Sequence, residues 1–267
     1  MKILAIANRK GGCGKTTTAV NLAAEWGARG VRTLLVDLDP QGHSGLGYGV
    51  SVRRQDPNAH MIFTRPGFQL TEAIRSTSIA NVSVAPADLA FDGAAIERSI
   101  SALRRQLRVP AIEERFDLVI LDTPPSLDAI LVNALAAADA ALITMIPHAL
   151  SAEGIRQFTR VFFRVATSIN TGLKLLGVLP VMVNPRTVHQ RSVLRDIETD
   201  FGASRLLEGV RADIQLAEAF AARMPIRAFA PRSRGAEDYR RVADELSEIW
   251  PLPQLSSRLE AKILEGV

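Results

Sequence analysis

Short runs of apolar, often β-branched residues alternate along the chain with longer stretches whose apolar positions recur every three or four residues. The runs KILAIA (2–7), RTLLVDL (32–38), VSVAPA (82–87), DLVILDT (117–123), AALITMI (140–146) and LLGVLPVMVN (175–184) predict strands. They are close to continuously hydrophobic, the pattern of strands covered on both faces. The intervening periodicity predicts helices over 15–28, 94–107, 152–168, 188–201 and 236–249. Within the second, Ile96, Ile100, Leu103 and Leu107 recur at helical spacing and are read as packing residues. Strand and helix in alternation predict an α/β fold, a mostly parallel twisted sheet with helices on both faces. Residues 49–69, with Pro57, Pro66 and scattered charge, predict an irregular insertion over one end of the sheet. A single domain over 1–250 is expected, followed by a tail or short helix over 251–267 that opens with Pro251 and Pro253.

Composition narrows the class. With 47% hydrophobic and 22% charged residues the chain is ordinary for a soluble globular protein, without repeats or low-complexity tracts. Its longest apolar runs stop at Asp139 or at His148, well short of the ~20 residues of a spanning helix. The strand that starts at Lys2 leaves no room for a signal sequence, so the expected location is cytoplasmic. The single cysteine, Cys13, excludes internal disulfides and cysteine-ligated metal or iron–sulfur sites within one chain. The histidines His43, His60, His148 and His189 show no metal-ligand spacing and are expected to be scattered polar surface residues. A formal charge of +4, carried mostly by arginine, mildly favours an anionic partner.

The strongest chemistry is in NRKGGCGKTTT, residues 8–18, which follows a strand and opens a helix. The phosphate-loop pattern GxxxxGK[ST] is met by Gly14, Lys15 and Thr16, but Arg9 stands where its first glycine would be, and a second lysine, Lys10, follows it. Gly11, Gly12 and Gly14 allow backbone N–H groups to crowd around phosphate oxygens beside the positive end of the helix. Lys15 is assigned to the β- and γ-phosphates, Thr16 to a Mg²⁺ ion and Thr17 to the α-phosphate side. Cys13 belongs to the same nucleotide loop at a variable position, its thiol read as an incidental small side chain. A chance glycine-rich turn is the competing account, disfavoured by the strand–loop–helix setting. Asp122 closes an apolar strand, the position from which P-loop NTPases hold the metal through water. Strand alternation puts Asp37 and Asp39 on one side, near the loop if the first two strands are close neighbours, and one of them could polarise an attacking water.

RKGGCGKTTTAVNLA, LLVDLDPQG, FDLVILDTPPSL and PRSRGAEDYRRVADEL (231–246) together resemble the ParA/MinD family of deviant Walker A P-loop ATPases, nearest its small, Soj-like ParA branch, over residues 1–250. The resemblance implies ATP and Mg²⁺ as cofactors, and an ATP-dependent homodimer in which Lys10 reaches the nucleotide of the other subunit. It implies that Asp39 orients the hydrolytic water, that Asp122 is the Walker B residue, that Asp37 sits near the metal and the loop, and that Asn184 contacts adenine. The text NPRT in place of NKxD favours ATP over GTP.

The same resemblance guides the partners. SSRLEAKILEGV lacks the cationic face and aromatic anchors of a membrane-binding helix, so no membrane partner is expected. The small ParA type implies non-specific binding of double-stranded DNA and nucleoid association, with Arg186, Arg191, Arg195 and Arg211 as first candidates. Gln215 stands where family members often carry arginine. A ParB- or McdB-like adaptor would stimulate hydrolysis, and the cargo would be a chromosome, a plasmid or a protein organelle such as a carboxysome. The alternatives are a division-site ATPase like MinD or MipZ and an ATP-dependent metabolic synthetase of the same fold.

Overall fold

The apolar runs of the sequence become the strands of one sheet. The computed structural model describes residues 1–53, 55–91, 99–126 and 129–252. Its strands are β1 (Lys2–Ala7), β2 (Thr33–Asp37), β3 (Arg75–Ser76), β4 (Val82–Ala85), β5 (Leu118–Asp122), β6 (Ala140–Met145) and β7 (Lys174–Pro180). They lie in the order β3-β4-β2-β5-β1-β6-β7, all parallel except the short β3 at one edge. The helices are α1 (Lys15–Ala28), α2 (His43–Leu46), α3 (Met61–Thr64), α4 (Ala102–Leu107), α5 (Pro110–Glu113), α6 (Ala129–Ala137), α7 (Ala149–Ser168), α8 (Val188–Phe201), α9 (Ile214–Ala221), α10 (Ile226–Phe229) and α11 (Arg234–Ile249).

Helices cover both faces, and strand alternation divides the core accordingly. Ile3, Ala5 and Ala7 of β1 pack with Leu103, Ile130 and Phe158 from α4, α6 and α7. Leu4 and Ile6 pack on the opposite face with Leu22 and Trp26 of α1 and with Tyr239 and Leu246 of α11. Because both faces are buried, neither set of strand positions can be polar, which is why the runs read as continuous. Among the described residues no helix is long and apolar enough to cross a membrane.

Several expectations change. The run 175–184 is a strand only to Pro180, because Met182 turns into the left-handed region at φ 54° and breaks the extended backbone. The helix expected from residue 94 is seen as α4 from Ala102; residues 92–98, with Ile96, lie outside the described residues, and Ile100 precedes the helix and is exposed rather than packed. α2, α3, α5, α6, α9 and α10, and the short strand β3, are additions. α6, AILVNALAA, is apolar all round and so carries no helical period to detect. The 49–69 insertion contains only α3 and turns as regular structure among its described residues. The tail beyond Leu252 lies outside the described residues.

His60 is a further correction: it is buried, not on the surface. Its Nε2 lies 3.1 Å from the Leu38 carbonyl, its Nδ1 accepts the Asp88 N–H at 2.9 Å, and its ring stacks on Phe91. With both nitrogens matched to backbone groups, an imidazole can be buried without leaving an orphan.

At the N-terminal end of the sheet, buried Asp117 ties β5 to β2. Its Oδ2 accepts the Arg32 N–H at 2.9 Å, and its Oδ1 accepts from the Arg32 guanidinium at 2.6 Å. Burial pushes this carboxyl up, but the Arg32 hydrogen bonds prevail and hold it below its ordinary value. Asp117→Ala, which strands those donors, is expected to cost about 1–3 kcal/mol in urea unfolding at pH 7. A depressed carboxyl stabilises only while ionised, so the difference should shrink as pH falls through the folded-state pKa, below the usual carboxylate range.

Candidate nucleotide-binding site

Strand order brings the acidic residues to the glycine loop. β5 lies between β1 and β2, so the first two strands are close neighbours separated by a single strand, and Asp122 comes between them. Asp37 pairs with Asp122 in register from one side, and Ile6, two residues before the loop, pairs with it from the other. The carboxylates and the loop therefore share the C-terminal edge of the sheet, where open α/β sheets hold ligands.

The loop is held from beneath. Buried Asn8 donates to the Thr144 carbonyl of β6 at 2.5 Å and accepts the Lys10 N–H at 3.0 Å. The Cys13 thiol, read from sequence as incidental, is buried, donates to the Lys10 carbonyl at 3.0 Å and touches the Thr144 hydroxyl, so it fastens the loop to β6. Gly14 must be glycine: its φ is +77°, and a Cβ there would come within 3.0 Å of Val181. α1 begins at Lys15 immediately afterwards, presenting its first N–H groups and positive end to an anion.

The two loop lysines differ sharply. Lys15 is only 5% exposed, and its ammonium curls back to the Lys10 carbonyl at 3.2 Å, without an ion-pair partner among the described residues. Lys10 has both backbone polar groups engaged, yet its side chain is exposed. Arg9 is turned away to Gln157 of α7.

Asp122 is fully buried. Its Oδ2 accepts the Ser44 hydroxyl at 2.8 Å, while its Oδ1 has no hydrogen-bond partner among the described residues. Burial first, and the Asp39 charge as well, push it up to about 6, against the pull of the Thr16 and Ser44 hydroxyls and of Lys15. Asp37 rises well above its ordinary value through burial and the negative charge of Asp122. Its oxygens nevertheless accept the N–H groups of Asp39, Ser44 and Gly45, so it shapes the turn into α2 as well as standing beside the metal position predicted from sequence. Asp39 is partly exposed, and its Oδ1 accepts the Gln41 N–H at 3.0 Å.

An orphaned carboxylate oxygen among mutually repelling acids beside Thr16 suits a divalent cation. No cluster of three or more His, Cys, Asp or Glu ligands occurs among the described residues. A cation here would draw most of its ligands from water and phosphate, the preference of Mg²⁺.

Beside the loop opens a cavity of about 560 Å³, walled by Gly14 and Thr17 on one side and by Val181, Met182, Ile214 and Phe220 elsewhere. An apolar slot next to a phosphate cradle has the character of a base site. Asn184, predicted for that contact, is not in its wall; it is exposed, and its Oδ1 accepts the Arg186 N–H in a tight turn. The segment 210–214 lines the cavity and was missed by sequence reasoning. One signal for it existed, since Asp213 before IQLAEA is an N-cap pattern: its Oδ1 caps α9 through the Gln215 N–H at 3.1 Å, and its Oδ2 accepts Gly235 N–H at 2.8 Å.

The predicted DNA arginines separate by their surroundings. Arg186, Arg191 and Arg195 are exposed at and along the start of α8, the last two one turn apart, with Arg191 also donating to the Pro185 carbonyl. Arg211 is held by Asp238 at 2.7 Å and by Glu237 at 2.8 Å.

Comparison with known proteins matches residues 1–175 to a family described as an AAA domain. The chromosome-partitioning ATPase Soj of Thermus thermophilus is 36% identical over 250 residues, 91% of this chain and 94% of that one. A solved cobyrinic acid a,c-diamide synthase from Mycobacterium smegmatis, with bound ADP and magnesium, is 31% identical with a TM-score of 0.79, covering 94% of this chain and 95% of that one. The apo McdA of Cyanothece shares the fold, with a TM-score of 0.82 at 21% identity over 92% of this chain and 99% of that one.

The raised Asp122 pKa has a signed consequence for the nucleotide-free protein. A carboxyl raised in the folded state stabilises while protonated, and that contribution is lost as pH rises from about 4, the unfolded value, through about 6, its folded value. Asp122→Asn should therefore be more stable than the unsubstituted chain at pH 7.5, by on the order of 2 kcal/mol, with the gap closing at pH 4. Urea titrations at the two pH values measure it.

Proposed function

We propose a working cycle for this chain from one premise: it belongs to the ParA/MinD family of P-loop ATPases. It hydrolyses ATP, with Mg²⁺ as the accompanying ion. The amides of Gly11, Gly12, Cys13 and Gly14 and the first turn of α1 receive the phosphates, Lys15 meets the β- and γ-phosphates, and Thr17 lies on the α-phosphate side. Thr16 and Asp122, with Asp37 behind them, would hold the Mg²⁺, directly or through water, and the chemistry it would supply is neutralisation of charge on the transferring phosphate. Asp39, the least buried of the three acids, orients the attacking water. The base enters the apolar cavity beside Gly14, with Asn184 at the turn that follows β7 and Met182.

The observation that carries the rest is the contrast between the lysines. Lys15 is folded onto its own loop, whereas Lys10 is aimed outwards from a loop whose backbone is fixed. In an isologous face-to-face dimer each Lys10 meets the nucleotide of the other subunit, so ATP holds the two together. The dimer doubles the exposed arginines Arg186, Arg191 and Arg195 and binds nucleoid DNA without sequence preference; Arg211 contributes least, being already paired. A ParB- or McdB-like adaptor on the cargo stimulates hydrolysis, and the subunits are released where the cargo is.

Fluorescence anisotropy of a random-sequence duplex, with ATP and with ADP, tests this reading. Binding is expected with ATP alone and should weaken by roughly 10³-fold between 50 and 200 mM salt if six or more phosphates are contacted. Lys10→Ala should abolish dimerisation in light scattering while retaining nucleotide affinity, and Asp39→Ala should hold the ATP dimer on DNA. A dimer that forms without Lys10, or rapid turnover without Asp39, would contradict the roles given. A second reading, metabolic amide formation, is favoured by the name of the Mycobacterium smegmatis neighbour. Absence of DNA binding in both nucleotide states would turn the search to it.

A further inference from the structure

From the irregular 49–69 segment the His60 side chain reaches the turn that carries Asp39. His60 stands at the start of α3 and is 1% exposed. Its backbone N–H donates to Asn58 Oδ1 at 3.1 Å, the Ala59 N–H donates to the Pro86 carbonyl at 2.8 Å, and its ring stacks on Phe91 with centroids 4.1 Å apart. The imidazole is thus braced by its own turn and by the segment that follows β4, the strand next to β2.

The hydrogen bonds decide its tautomer. The Asp88 N–H points at Nδ1 from 2.9 Å, so that nitrogen carries a lone pair, and the ring proton lies on Nε2. Nε2 therefore donates to the Leu38 carbonyl, 3.1 Å away. That carbonyl and the Asp39 N–H belong to one planar peptide unit. Its N–H side is held by Asp37 Oδ1 at 3.2 Å, a long bond from a carboxylate that also accepts from Ser44 and Gly45. Beyond this plane, Asp39 Oδ1 accepts the Gln41 N–H at 3.0 Å and the Asp39 carbonyl accepts the Gly42 N–H at 2.9 Å. The turn is fixed on both sides of Asp39, and His60 supplies a donor from a different segment.

We propose that His60 is a positioning residue for ATP hydrolysis: by donating from Nε2 to the Leu38 carbonyl it fixes the peptide plane before Asp39 and so aims that carboxylate at the attacking water. The inference rests on the assignment of Asp39 to the water. Rotating this plane changes the direction in which the Asp39 side chain leaves the backbone, and a shift of about 1 Å at a reacting group costs up to about 10²-fold in rate. Nucleotide affinity is separate from this device. The glycine loop and Lys15 lie between β1 and α1, and neither contacts His60 through the bonds described. The 49–69 segment thereby acquires a part in the chemistry, although its only regular element is α3 and turns.

Steady-state phosphate release from Mg-ATP by the full chain tests this with two amides that reach different partners. His60→Gln places an N–H near the Nε2 position and should keep kcat within about threefold. His60→Asn places its amide near the Nδ1 position, facing Asp88, and should lower kcat about tenfold or more with KM for ATP changed by less than about twofold. His60→Phe keeps a ring for Phe91 but has neither nitrogen, and should be as slow as His60→Asn. A purely structural ring would rank the variants the other way, with phenylalanine the most active. Asp39→Ala, measured alongside, separates the two assignments. If it turns over ATP at the unsubstituted rate, Asp39 does not serve the water and the inference falls with it. If it is slow while His60→Asn and His60→Phe keep their kcat, or while His60→Gln is no faster than they are, Asp39 retains its assignment and the role of His60 is overturned.

Discussion

Two carboxylates paired in register and shut off from bulk solvent set the terms for the rest of the site. Asp37 and Asp122 face each other across β2 and β5, both fully buried and both raised, and one oxygen of Asp122 has no partner. Such an arrangement is costly in an isolated domain, since neither desolvated charge is neutralised by a salt bridge among the described residues. It becomes favourable when positive charge is brought to that edge. Lys15 already leans on Asp122 electrostatically, and a divalent ion carried in with phosphate would complete the compensation.

The surrounding architecture holds that edge still. Asn8 and Cys13 attach the glycine loop to β6, Ser44 links α2 to Asp122, and the Tyr239 hydroxyl of α11 meets Thr18 of α1 at 3.2 Å. Asp213 joins the segment lining the cavity beside Gly14 to the start of α11. His60 takes part in the same way, since it holds the Leu38 carbonyl next to Asp39. Groups that would develop or bind charge are therefore fixed by side chains well outside the loop, as electrostatic preorganisation requires.

The two poles of the sheet serve different ends. At the C-terminal edge the glycine loop and the paired buried carboxylates lie beside an apolar cavity. At the opposite edge Arg32 and Asp117 clasp neighbouring strands, and an apolar groove along α7 meets the end of the described chain. A parallel sheet makes this division natural, because all its strands leave at one edge and begin at the other.

The sequence by itself determined the class of fold and the glycine loop between the first strand and the first helix. Period and composition fixed the parallel strands and helices α1, α8 and α11, because buried strands and amphipathic helices impose local patterns. The glycine loop from Gly11 to Thr16 was legible as a strand-to-helix connection for the same reason: strand, loop and helix onset are contiguous, and backbone geometry there is set by the residues themselves. α6 was not legible, since a helix buried all round has no polar face to give it a period. Nor was the place of β5 between β1 and β2, which only sheet pairing decides. Tertiary structure likewise lined the cavity beside Gly14 with the 210–214 segment, left Asn184 in a turn, buried His60 and clamped Arg211 with Asp238. Each of those outcomes depends on groups distant in the chain, and competition among distant partners for one donor or one space is not written in local pattern.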